Sequence, residues 1–135
     1  MTLQKVAYFT VETPNTAGQG LRILAALRNA GVDLLAYSGF PNGRKAQLDF
    51  IPAEPARFKA AAKKMKLKIS DKKIAFLIHG DDKVGALTGV LGKLAKARIS
   101  ITAMQAVTAG KGRYGTIFWV KPKALAKTAK LLGAK

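Results

Sequence analysis

The chain contains the same arrangement of residues twice, and this repeat limits its possible folds more than any other feature. The segments TPNTAGQGLRILAALRNAGVDLLAY and GDDKVGALTGVLGKLAKARISITAM start at Thr13 and Gly80, 67 positions apart. Shifted by that amount, the sequence aligns with itself without a gap. The matches include Phe9 with Phe76, Gly18 with Gly85, Leu24 with Leu91, Gly43 with Gly110 and Pro55 with Pro122. The repeat predicts two copies of one small domain, residues 1–69 and 70–135.

Each copy has the same predicted order of strands and helices. KVAYFTVE and KKIAFLIHG are typical of strands, and the leucines that follow each of them recur at helical spacing. VDLLAYSGF and ISITAMQAV predict second strands, and KAQLDFI and YGTIFWV predict third strands after a glycine-containing hairpin turn. Pro55 and Pro122 lie where a second helix would start.

This order predicts an α+β fold of two ferredoxin-like βαββαβ units, each an antiparallel sheet with helices on one face. KLKIS is the predicted closing strand of the first copy, whereas the second copy reaches Lys135 before any closing strand, which leaves an open sheet edge. Gly31 suits a helix C-cap in the first copy. Because Arg98 holds the matching position, we expect a different cap in the second copy.

The charge of the chain is strongly positive, with 24 Lys and Arg against 7 Asp and Glu and a net charge of +17. Both copies are basic, so there is no separate basic tail. This charge is typical either of a lysine-rich solubilising surface or of a surface that binds polyanions without reading sequence. We therefore keep a basic nucleic-acid-binding α+β module as an alternative function.

Other sequence features limit the location and chemistry of the protein. The absence of cysteine excludes disulfides and thiolate metal sites. The sequence shows neither a secretion signal nor a membrane-spanning apolar stretch, which predicts a cytoplasmic protein with no membrane partner. We expect no cofactor, no metal site and no enzymatic activity, because no catalytic constellation is present.

Three patterns suggest other chemistry but lack the context it requires. GKGRYG matches a dinucleotide-binding glycine motif but precedes a strand rather than a helix. His79 has no second histidine with it, and Asp81 and Asp82 lack further oxygen ligands for a cation. Tyr114, Phe118 and Trp119 could stack on nucleic-acid bases, although Phe118 and Trp119 should face opposite sides of their strand.

Each copy resembles the ACT domain, a small regulatory module of amino-acid metabolism. The resemblance rests on NTAGQGL and GVDLL in the first copy and on DDKVGAL and RISIT in the second. It covers nearly the whole chain. The family's proline before the loop glycine is replaced by Ala17 and Val84, and its asparagine at the second strand by Asp33 and Ser100. The resemblance implies a stand-alone tandem ACT protein that binds a small-molecule effector, most simply an amino acid. Because the second copy lacks its closing strand and small modules bury little surface alone, we also expect a homodimer.

The resemblance also implies the ligand-binding residues. Loop glycines let a ligand approach the backbone, and helix N–H groups attract a carboxylate. Asp33 is a stronger partner for an ammonium group than Ser100, so we expect the first copy to bind more tightly. The implied contacts are Asn15, Ala17, Gly18, Gln19 and Asp33 in the first copy, and Asp82, Val84, Gly85, Ala86 and Ser100 in the second.

Overall fold

The computed structural model describes all residues, Met1–Lys135, and divides into two compact units. The N-terminal unit is formed by residues 7–73, and the C-terminal unit by residues 74–135 together with residues 1–6. Leu3 packs against the core of the C-terminal unit, and the Lys5 N–H donates to the Lys135 carbonyl over 3.1 Å. The predicted boundary between residues 69 and 70 stays a prediction.

The order of the elements confirms the predicted α+β class with antiparallel sheets. The first half contains β1 (Thr2–Pro14), α1 (Gln19–Asn29), β2 (Leu34–Asn42), β3 (Lys45–Pro52) and α2 (Pro55–Lys64). The second half contains β4 (Lys73–Asp81), α3 (Thr88–Lys96), β5 (Ile101–Thr108), β6 (Arg113–Val120), a 3₁₀ turn (Pro122–Ala124) and α4 (Leu125–Leu132). No helix is both long and apolar enough to cross a membrane.

In each unit the third strand pairs with both the first and the second. The strand orders are β2-β3-β1 and β4-β6-β5, and all of these pairs are antiparallel. The helices pack on the sheets through buried apolar side chains at helical spacing, such as Ile23 and Leu27 on α1 and Val90 and Leu94 on α3. Each unit therefore has its own hydrophobic core.

The prediction that the two copies align without a gap is wrong at the hairpin that joins the second and third strands of each unit. Asn42 pairs with Lys45, so two residues connect β2 to β3. In the other unit the Ala109 N–H donates to the Arg113 carbonyl, and three residues, Gly110 to Gly112, form the loop. Phe50 pairs with Phe9 while Phe118 pairs with Phe76, so the offset between the copies rises from 67 to 68 on the third strand.

The expectation of a different cap after α3 is also wrong. Gly31 and Arg98 both adopt left-handed backbone conformations, with φ of 72° and 58°. In both places the N–H of the next residue donates to the carbonyl five residues earlier, from Val32 to Leu27 and from Ile99 to Leu94. Arg98 accepts a backbone strain on the order of 1 kcal/mol that glycine would avoid.

The segment KLKIS does not form the predicted closing strand. Leu67 and Ile69 pack against the N-terminal core, which explains their strand-like alternation. The Ser70 N–H donates to the Thr10 carbonyl, but the Thr10 N–H is taken by the Ser70 hydroxyl rather than by a backbone carbonyl. The Ser70 hydroxyl thus takes the place of the second backbone hydrogen bond that would continue a β-ladder between the two segments.

Two buried threonines of the C-terminal unit give a test of its packing. Thr128 is completely buried and its hydroxyl has no hydrogen-bond partner, whereas the buried Thr116 hydroxyl donates to the Gln105 carbonyl. We expect Thr128→Val to raise the free energy of unfolding by about 1 kcal/mol, because it removes an unsatisfied polar group. Thr116→Val should lower it by about 1 kcal/mol. Urea denaturation measures both, and changes of the same sign would contradict this account.

Candidate functional site

The loop of the C-terminal unit that contains four predicted ligand residues borders a cavity of about 290 Å³, and three of the four line it. One wall is the turn that leads into α3, and the other is the end of β5 with one residue of β6. The lining residues are Asp82, Gly85, Ala86, Leu87, Ala106, Val107, Thr108 and Tyr114. The cavity is at the small end of the range of about 300–1,000 Å³ for ligand pockets, which suits a metabolite of amino-acid size.

A left-handed glycine shapes the turn before α3. Gly85 has φ of 68°, and the Thr88 N–H donates to its carbonyl over 2.9 Å. The Ala86 N–H donates to the Lys83 carbonyl, which leaves the N–H groups of Gly85 and Leu87 without backbone acceptors. Unpaired N–H groups at the start of a helix favour negatively charged ligand groups.

Tyr114 forms the floor of the cavity because Gly80 lies opposite it. The two residues are paired across β4 and β6, and Tyr114 is only 7% exposed. A Cβ atom on Gly80 would lie 2.7 Å from Cε1 of the tyrosine ring, closer than real Cβ contacts. The glycine therefore lets the ring lie across β4, where it borders the cavity.

One side of the cavity carries a negative charge. Asp82 lines it, and the Asp82 N–H donates to the Gly112 carbonyl over 2.8 Å. The neighbouring Asp81 does not line the cavity and is paired with Arg113 at 2.7 Å. Asp82 is thus the one carboxylate in the lining, and the rest of the wall is mainly apolar.

Two other predicted ligand residues of the second copy do not line the cavity. Val84 is fully exposed and is not part of the lining. Ser100 lies beyond the C-terminal end of α3, whereas the cavity lies at its N-terminal end. Among the predicted residues of the second copy, the structure brings together Asp82, Gly85 and Ala86.

The predicted residues of the first copy form two separate groups. Asn15, Ala17 and Gly18 are exposed in the loop before α1, and Gly18 is the left-handed N-cap with φ of 90°. The Gln19 carboxamide accepts hydrogen bonds from the Arg22 guanidinium. Asp33 is exposed beyond the other end of α1, whose 11 residues span roughly 16 Å. Within this unit one amino acid is too small to contact both groups.

Sequence reasoning missed most of the β-sheet wall. Ala106, Val107 and Thr108 follow an ordinary strand pattern, and Tyr114 stands out only as a base-stacking side chain. Tyr114, Phe118 and Trp119 are all buried, so the predicted stacking surface is not present. The useful signal was the unusual glycine at position 80, since a glycine inside a strand often marks a close approach of another group.

The sequence matches no protein-family profile and no curated protein sequence. Solved structures are similar to the chain over almost its full length. Protein BT0572 from Bacteroides thetaiotaomicron has a TM-score of 0.82 at 18% identity, covering 97% of this chain and 88% of that one. The regulatory subunit of aspartate kinase from Thermus thermophilus, in ligand-free form, has a TM-score of 0.64 at 10% identity, covering 97% and 92%.

The regulatory subunit of aspartate kinase from Thermus flavus has a TM-score of 0.59 at 12% identity, covering 97% of this chain and 92% of that chain. At such low identities these likenesses show the fold alone. The shared fold is the α+β arrangement of antiparallel sheets and helices described above, which the sequence also predicted.

The close approach of the Tyr114 ring to Gly80 can be tested by substitution. We expect Gly80→Ala to lower the free energy of unfolding by about 1–3 kcal/mol, because the new methyl group overlaps the tyrosine ring. The same substitution should have a much smaller effect in a Tyr114→Ala background. A double-mutant cycle by urea denaturation measures this difference. If the effects of Gly80→Ala and Tyr114→Ala on the free energy of unfolding are additive, the position of the tyrosine ring does not depend on the missing side chain at residue 80.

Proposed function

We propose that this protein is a non-enzymatic regulatory protein that binds a small molecule, most simply an amino acid, in the cavity of its C-terminal unit. The observation that supports the proposal is the position of the cavity. Asp82, Gly85 and Ala86, which the resemblance to ACT domains assigned to ligand binding, all line it. The similarity to regulatory subunits of aspartate kinase supports the same class of function.

The cavity offers a partner for each group of an amino acid. The ligand's carboxylate would accept hydrogen bonds from the N–H groups of Gly85 and Leu87 at the start of α3. Asp82 would pair with the ammonium group. Val107 and Ala106 would contact the side chain, so the proposal favours a small apolar amino acid over a charged one.

The regulatory role follows from the same arrangement. The ligand would connect the turn before α3 to the end of β5, two segments that are separated along the chain. Binding would favour any conformation in which these segments are correctly placed, and a partner protein could sense that conformation. The predicted homodimer and cytoplasmic location remain parts of this proposal, and the regulated partner is a protein of amino-acid metabolism.

A cavity-filling substitution tests the proposal. A thermal-shift screen of the amino acids would identify the ligand, and titration calorimetry would measure its affinity. We expect Ala106→Phe to weaken binding by at least about 10-fold, because the ring occupies the cavity. Asp82→Asn should weaken it about 10- to 100-fold through loss of a charge-assisted contact.

The chain offers a matched control for each variant. Ala103→Phe places the same ring on β5 outside the cavity lining, and Asp81→Asn removes the carboxylate that pairs with Arg113. Both controls should bind as tightly as the wild type. If no amino acid binds, or if Ala106→Phe and Ala103→Phe weaken binding equally, the proposed site is wrong.

Binding of nucleic-acid backbones is a second candidate function, and the distribution of charge favours it. The four α-helices contain no acidic residue, and only three ion pairs form in the whole chain. Their basic residues are all exposed: Arg22, Arg28, Arg57, Lys59, Lys63, Lys64, Lys93, Lys96, Lys127 and Lys130. Since the aromatic side chains of β6 are buried, contacts would be made to phosphates rather than to bases.

Salt dependence tests this second function. If six or more phosphates are contacted, affinity for duplex DNA should fall at least about 10³-fold between roughly 50 and 200 mM salt. Unrelated duplexes of equal length should bind equally well. Gel shifts at several salt concentrations measure both properties. Absence of binding at low salt would exclude the function, and tight binding to one sequence at high salt would contradict the phosphate-only mode.

A further inference from the structure

The side chain of Tyr37 occupies a space in the N-terminal unit between the start of α1 and strand β2. A Cβ atom on Gly20 would lie 3.0 Å from the Tyr37 hydroxyl oxygen, and one on Gly39 would lie 3.6 Å from it. The tyrosine ring contacts Phe50, with ring centroids 5.2 Å apart. The absence of a side chain at Gly20 thus leaves room for the phenol group beside the core, and Gly39 borders the same space at ordinary van der Waals distance.

The matching space in the C-terminal unit is the open cavity. The residues 67 positions after Gly20 and Gly39 are Leu87 and Ala106, and both line it. The offset of 67 holds on the second strands, because Tyr37 pairs with Phe50 just as Met104 pairs with Phe118. It also holds on the first helices, whose buried residues are Ile23 and Leu27 in one copy and Val90 and Leu94 in the other. Met104 is therefore the counterpart of Tyr37, and it does not line the cavity.

We propose that Tyr37 is a built-in occupant of the ligand space of the N-terminal unit, so that each chain keeps one open site, in the C-terminal unit. This inference rests on the proposed function in one respect, namely that the C-terminal cavity is a ligand site. It reverses the expectation from Asp33 and Ser100 that the first copy binds more tightly.

The chemistry of the Tyr37 side chain also indicates which small molecules would fit this space. An aromatic ring lies against Phe50, and its hydroxyl group lies beside the backbone at the beginning of α1. A phenol is neutral at neutral pH, and partial burial raises the pKa of the Tyr37 hydroxyl further above its ordinary value. A neutral aromatic molecule with one hydroxyl group should therefore replace the side chain when it is removed.

Phenol binding to a Tyr37→Ala variant tests the inference. The substitution leaves the Cβ atom and removes the phenol group, so free phenol matches the space that is created. We expect millimolar phenol to shift the amide NMR signals of Gly20 and Gly39 in the variant and to leave them unchanged in the wild type. It should also raise the melting temperature of the variant relative to its own value without phenol.

Two further variants serve as controls. Leu35→Ala removes a side chain on the same strand that is 42% exposed, close to the 39% of Tyr37, and it should not create phenol binding near Gly20. Tyr37→Met introduces the residue of the other copy and replaces Tyr37→Ala if that variant does not fold. The inference is overturned if phenol leaves the Gly20 and Gly39 signals unchanged in the folded Tyr37 variant, or shifts them equally in the wild type.

The test does not depend on the natural ligand. Failure of every amino acid to bind the wild type would contradict the proposed function but leave the phenol result unaffected. Conversely, an amino acid that binds the wild type at two equal sites per chain would contradict the inference and preserve the function. The two proposals can therefore fail separately.

Discussion

In each unit the first and third strands place two phenylalanines opposite each other, and the remaining structure depends on this register. Phe9 pairs with Phe50 and Phe76 with Phe118, and all four side chains are completely buried. A slip of one residue would turn every side chain of a strand to the other face, so the register is strongly specified. The loops have more freedom: the additional residue in the second hairpin changes the offset between the copies but keeps Phe118 opposite Phe76.

The same register also produces a difference between the two copies. Four residues beyond the phenylalanine pair, it places Tyr114 opposite Gly80 in the C-terminal unit and Ala46 opposite Thr13 in the N-terminal unit. A large ring can lie across the end of the sheet only where its partner lacks a side chain. In the N-terminal unit, where the third strand has the small Ala46, a ring beside the core comes instead from Tyr37 on the second strand. The same backbone arrangement thus places a tyrosine ring on the third strand in one unit and on the second strand in the other.

These particular residues also show how far sequence reasoning extends. The order of strands and helices could be predicted because apolar spacing and turn residues are local properties of the chain. The cap at Arg98 could not be predicted, because the tertiary packing of Ile99 overrides the preference for glycine after the end of a helix. Part of the site could be predicted, since loop residues such as Asp82 and Gly85 follow a motif. Its sheet wall could not, because a cavity depends on which side chains remain short after three elements have come together.

The cavity of the C-terminal unit opens to solvent, and Val107 in its lining is 69% exposed. Covering its apolar wall would stabilise the fold, because apolar surface is removed from water. The N-terminal unit shows that this fold can place one tyrosine in the space, because Gly20 leaves room for it. The C-terminal unit has Met104 in place of Tyr37 and Leu87 in place of Gly20, and its cavity stays open. An apolar pocket that a protein leaves uncovered is a candidate ligand site. The difference between Tyr37 and Met104 is therefore the physical basis for proposing ligand binding in only one half of a repeated chain.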